Sequence, residues 1–172
     1  VQSDDQFSPI EDNFQRVITY TEEVIVNYRV NSSSVRSSEL RDADWKSLQN
    51  LLQLSIDADS VTITGARIEA YASPEGEITL NEDLASDRAN SAAASVTREM
   101  KRKKLTADEA FYNLVPKGED WLGFKSLMQA SDVEDKNLIL RVLEMYSDKD
   151  QREEEIRSIA KTYREIEKEI LP

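Results

Sequence analysis

The chain has 172 residues, with 34 acidic against 22 basic side chains and a formal charge of −12. That balance opposes nucleic-acid binding, which rests on cations that neutralise phosphates. With no cysteine and no histidine, thiol catalysis, thiolate or imidazole metal sites and the Ser-His-Asp triad are all excluded.

In chain order, residues 1–13 are polar and without period, and read as a flexible N-terminal segment. From Phe14 to Val30 the pattern is strand-like, with Val24, Val26, Tyr28 and Val30 alternating against Glu23, Asn27 and Arg29. A serine-rich connection follows, in which Ser37 or Ser38 is a candidate cap. Leu40, Trp45, Leu48, Leu51 and Leu52 then recur at helical spacing, predicting a helix from about Glu39 to Leu54. Ser60 to Ala72 reads as an interior strand whose hydrophobic phase slips near Gly65, predicting a bulge there. After the Ser73-Pro74-Glu75-Gly76 break, a long helix is predicted from roughly Leu80 to Lys103. Its buried line is Leu84, Arg88, Ala92, Val96 and Met100, flanked by Ala85, Ala89 and Ala93.

Thr106 with Glu109 has the spacing of a capping box, and Tyr112 to Val115 predicts a third strand. The remainder reads as helical. One helix starts at Glu119 or Asp120 and carries Trp121, Phe124 and Met128. Ser131 with Glu134 would cap a second, and Asp150 with Glu153 a third. Strands alternating with helices predict an α+β sandwich with helices on one face of a sheet. No apolar run reaches the eighteen or so residues of a membrane-spanning helix, so no direct membrane insertion by this segment is expected.

The informative stretch is Glu69 to Ala89, EAYASPEGEITLNEDLASDRA. Gly76, Asn81, Leu84, Arg88 and Ala89 fall without a gap on the motif of the OmpA-like, peptidoglycan-associated C-terminal domains, which this stretch resembles. The Ala72-Ser73-Pro74-Glu75-Gly76 form and the helical insertion after Gly118-Glu119-Asp120-Trp121 are similar to a Bacteroidetes-type branch of envelope proteins. The resemblance implies a β-α-β-α-β sheet with helices on one face over residues 14–118. A helical extension over 119–172 would pack on the same domain. It also implies a periplasmic location associated with the outer membrane, and non-covalent capture of the peptidoglycan stem peptide. In the family an aspartate pairs the diaminopimelate ammonium while an arginine forks onto its carboxylate.

Carried over position by position, Arg88 is the arginine and Ser73 stands where the family has aspartate. A hydroxyl leaves a neutral hydrogen bond in place of a charge-assisted one roughly twice as strong. Glu75 is the candidate replacement carboxylate. Asn81 reads as a helix cap and loop organiser, Gly76 as a backbone requirement in the turn, and Tyr71 as a pocket wall or a core aromatic. For Arg88 two readings stand side by side: an anion clamp, or an internal tie to Glu75 or a backbone carbonyl. The run Lys101-Arg102-Lys103-Lys104 reads as a solvated helix end favoured by the macrodipole.

The expected function is a non-enzymatic cell-envelope anchor or scaffold, with weak peptidoglycan contact around Arg88 and no cofactor. The alternative is a protein-interaction module of an outer-membrane or surface-appendage assembly, in which the pocket is vestigial and the partners are envelope or surface proteins.

Overall fold

The computed structural model describes residues 17–74, 78–159 and 170. Among these the architecture is mixed α and β. Five helices, α1 (Ala43–Asp57), α2 (Ile78–Arg102), α3 (Trp121–Ala130), α4 (Lys136–Met145) and α5 (Lys149–Ser158), accompany two strands, β1 (Ala66–Ala72) and β2 (Tyr112–Glu119). The strands pair in parallel, and α2 forms part of the crossover between them. Parallel pairing requires a crossover of this kind, usually helical, because no tight hairpin can return a strand in the same direction.

α2 lies along both strands. The side of β1 that carries Ala70 and Ala72 is buried, while Arg67, Glu69 and Tyr71 point to solvent on the other face. On α2, Ala85 and Ala89 are fully buried, together with Asn81, Arg88, Ser95, Glu99 and Met100. The buried stripe is therefore rotated towards the alanines from the line expected; Leu84, Ala92 and Val96 sit at its margin. Small side chains let the helix approach closely, and polar residues such as Ser95 enter the stripe because each finds a partner, here the Ser91 carbonyl at 2.9 Å.

Several expected boundaries move. Residues 17–30 are extended, and Val24, Val26 and Tyr28 do alternate inwards, but the segment forms no strand ladder. Its backbone donors go to side chains instead. The Ile25 N–H donates to Asp44 Oδ2 at 3.2 Å, and the Asn27 N–H donates to Glu39 Oε2 at 2.9 Å. The expected bulge near Gly65 is displaced: the strand begins only at Ala66, and the register slips between Ala70 and Tyr71 instead. Gly118, at φ +68°, lies in that slip, in the left-handed region that glycine enters without a Cβ penalty.

The capping residues differ as well. Neither Ser37 nor Ser38 caps α1; Asp42 does, accepting from the Trp45 N–H at 2.8 Å. Asp108, not Thr106, caps the short 3-10 turn Glu109–Phe111. Asp148, not Asp150, caps α5, while Ser131 bonds back to the Met128 carbonyl and so closes α3 rather than opening α4. β2 extends to Glu119, beyond the expected Val115. The C-terminal helices enclose their own core of Phe124, Met128, Val133, Ile139, Val142, Leu143, Ile156 and Ile170. Trp121 meets Phe124 edge-to-face, with centroids 5.9 Å apart.

α2 ends in a Schellman motif. The Leu105 N–H reaches the Met100 carbonyl at 2.9 Å and the Lys104 N–H reaches Lys101 at 3.0 Å, with Lys104 at φ +60°. A lysine in that left-handed position carries a steric penalty that glycine lacks. Lys104→Gly is expected to raise stability by about 0.5–1 kcal/mol, read as an increased urea midpoint at unchanged m-value.

Glu39 is the second point of stress. Only 7% exposed, it accepts from the Asn27 backbone and side chain and from Arg36 Nη2 at 2.6 Å. The Asn27 N–H above all, then the Arg36 charge, hold its carboxyl below the usual range. A depressed folded value stabilises above the unfolded pKa, and that gain disappears as pH falls through the folded one. Glu39→Gln should cost about 1–2 kcal/mol near neutral pH. The gap between variant and native chain, measured by urea denaturation, should narrow as the solution is acidified through the carboxylate range.

Candidate functional site

Ser73, Asn81 and Arg88 line one shallow concavity of about 180 Å³, together with Val30, Asn31 and Leu84. Three of the sequence-predicted residues thus come together. Tyr71 contributes its backbone, while its ring is 39% exposed and its hydroxyl donates to Glu69 Oε2 at 3.0 Å on the outer sheet face. Glu75 and Gly76 lie outside the described residues.

Arg88 is 6% exposed. Its three nitrogens all donate to backbone carbonyls: Nε to Ser32 at 3.0 Å, Nη1 to Tyr71 at 2.7 Å and Nη2 to Arg29 at 2.9 Å. Its Cζ also lies 5.1 Å from the centre of the Tyr28 ring, a cation–π contact. The Tyr28 hydroxyl returns to α2, donating to the Arg88 carbonyl at 3.0 Å and lying 3.2 Å from Ser91 Oγ. Among the described residues no carboxylate pairs with the guanidinium. Burial pushes the Tyr28 hydroxyl up and the Arg88 guanidinium down, each towards its neutral form. The arrangement is a clasp: one cation fastens the 29–32 turn and the end of β1 to the middle of α2.

Among the described residues the concavity is shallow, and the Arg88 side chain fills its floor. The fork geometry that could grip a carboxylate is committed to the protein's own backbone. Of the two readings open for Arg88, the backbone tie is the one the geometry displays.

Asn81 is buried, at 4% exposure, but faces β2: its Nδ2 donates to Glu119 Oε1 at 3.1 Å. Glu119 was not among the site residues singled out from sequence. Its side chain is only 3% exposed, and Oε2 accepts from Trp121 Nε1 at 2.8 Å and faces Lys149 Nζ at 3.8 Å. The signal for it was the register slip. Were Lys117 paired in unbroken register and not looped out, Glu119 would point to the opposite face of the sheet. Among the described residues no cluster of three carboxylates could hold a metal ion, and no helix is long and apolar enough to cross a membrane.

No protein-family model matches the sequence, and no curated protein matches it.

Removing the Arg88 side chain takes away three charge-assisted hydrogen bonds, each worth about 1.5–3 kcal/mol. Arg88→Met should therefore destabilise by at least about 3 kcal/mol. Arg88→Lys, a point charge without the fork, should recover only part of that. Both are read by urea denaturation followed by circular dichroism.

Proposed function

We propose that the chain is a non-enzymatic scaffold domain of the cell envelope, on the periplasmic side of an outer membrane, that works through contacts with other proteins. In this reading the Ser73–Arg88 region organises the fold and grips no stem peptide. The observation that carries it is the guanidinium itself. An arginine whose three nitrogens already donate to Arg29, Ser32 and Tyr71 carbonyls has exchanged ligand recognition for internal cohesion. The serine at position 73 agrees with that exchange, since it withdraws the carboxylate an ammonium would need. The helical extension supplies the contact surface, with Leu122 at 81% and Met145 at 75% exposure.

The competing reading, weak capture of peptidoglycan, draws on the gathering of Ser73, Asn81 and Arg88 around one hollow. Co-sedimentation with insoluble peptidoglycan separates the two. The native chain is expected to stay in the supernatant, and Ser73→Asp to change nothing, because the guanidinium donors are already taken by backbone carbonyls. Retention of the native chain, raised about tenfold or more by Ser73→Asp, as a regained charged contact would give, overturns the scaffold reading.

A further inference from the structure

The extended segment 17–30 and β1 are joined through Arg88 without pairing, and the direction of their backbone groups shows what is missing between them. In an extended chain, successive residues turn their N–H and C=O groups to opposite edges. The Ile25 and Asn27 N–H groups point to one edge, where they meet Asp44 and Glu39. Val24, Val26 and Tyr28 therefore turn theirs to the other edge, and among the described residues these groups have no partner. On β1 the Ala72 carbonyl accepts from the Asp120 N–H on the β2 side. Arg67, Glu69 and Tyr71 consequently turn their backbone outwards. Of those groups only the Tyr71 carbonyl is met, by Arg88 Nη1.

Arg88 closes one end of the space between the two open edges. Nη1 takes Tyr71 and Nη2 takes Arg29, so two carbonyls are held by one guanidinium. Neighbouring strands stand about 4.7–4.9 Å apart and bond amide to carbonyl. Carbonyls joined through a planar cation mark a wider gap. On α2 the line Leu84, Ala92 and Val96 continues the Arg88 position at intervals of four, and it is only half-buried. Two unpaired backbone edges beside a half-covered apolar helix line form a slot of one strand's width.

The same chain carries a strand without a ladder. Val17-Ile18-Thr19-Tyr20-Thr21 consists of β-branched and aromatic residues, the types that favour a paired, pleated surface. Val17 is 80% exposed, Ile18 75% and Tyr20 58%, and among the described residues their backbone is unpaired. No turn interrupts residues 17–29, so this stretch runs straight into Val24 and does not enter the slot of its own chain.

We infer that the slot between residues 24–28 and β1 receives residues 17–21 of a second copy of this chain. Exchange is reciprocal, each copy giving one strand and taking one, which closes a two-fold dimer through an isologous interface. Each sheet then holds four strands, where three or more with an apolar face are needed for independent stability. Two edges that invite unspecific pairing are also removed from water. Strand exchange needs no particular compartment and stands apart from the envelope reading.

Sedimentation equilibrium on the full chain is the test, and a mass of twice the monomer is expected. Ile18→Pro removes one donor from a strand paired at both edges and should raise the dimer dissociation constant at least tenfold. Because Ile18 is exposed, circular dichroism of that variant should be unchanged. Val26→Pro removes a donor from the slot and should weaken the dimer to a similar degree. An equimolar mixture of the two variants should regain part of the dimer, since the intact strand of one fits the intact slot of the other. Leu122→Asp, on the helical extension, should leave the mass as it was. A monomeric native chain, a dimer indifferent to Ile18→Pro, a dimer lost with Leu122→Asp, or a mixture that stays monomeric would each overturn the exchange. Should Val26→Pro misfold by circular dichroism, the native chain, Ile18→Pro and Leu122→Asp decide alone.

Discussion

A buried cation held by backbone carbonyls organises the described part of this molecule. A guanidinium removed from water is costly unless its donors are met, and Arg88 meets that requirement with carbonyls from two separate stretches of chain and a tyrosine ring. The carbonyls at 29 and 32 belong to the turn after the N-terminal extended segment, and the one at 71 to the end of β1. Their position relative to α2 is therefore set by one planar group, whose fork geometry fixes directions as well as distances. The short alanines at 85 and 89, three positions before Arg88 and one after, let the helix come close enough for the side chain to span the gap.

Two buried acids do comparable work elsewhere, and for the same reason. Glu39 collects a backbone donor of the extended segment, and Glu119 collects donors from α2 and α3. In each case a side chain takes the place that a strand neighbour or a water would fill. That explains how a two-stranded sheet, marginal by itself, is supported here. The extended segment contributes its alternating inward residues to the interior without joining the ladder.

What the sequence disclosed follows from what periodicity can carry. The long helix, the strand before it and the helices α3 and α4 were readable because their apolar side chains repeat at 3.6 or 2 residues, as Ile139, Val142 and Leu143 do in α4, while most of the line expected for a third C-terminal helix lies outside the described residues. The gathering of Ser73, Asn81 and Arg88 was readable from motif spacing. Capping was legible at Asp120, which caps α3 as expected, but not elsewhere, since aspartates cluster near helix starts and which one turns inwards depends on a shift of one or two residues, as with Asp148 against Asp150. The lost first strand was also hidden. Its donors are claimed by Asp44 and Glu39, 19 and 12 positions away, and no local pattern encodes that. Arg88 bonding to carbonyls left no trace for an equally simple reason: every residue has a carbonyl, so residue types cannot name the acceptors. Glu119 was read only as a candidate helix start because its burial depends on the slip at Gly118, beyond the expected end of the strand at Val115.

That slip has a further consequence for how the chain tolerates change. The segment from Lys117 to Asp120 is where strand parity is reset, so its length matters more than its chemistry. Pairing the same residues in unbroken register would turn Glu119 to the opposite face and expel its carboxylate from the interior. Insertions in the serine-rich stretch near residue 34 would disturb no such count. A change of length near residue 34 therefore leaves the strand ladder untouched, whereas one between Lys117 and Asp120 changes which residues oppose one another across it.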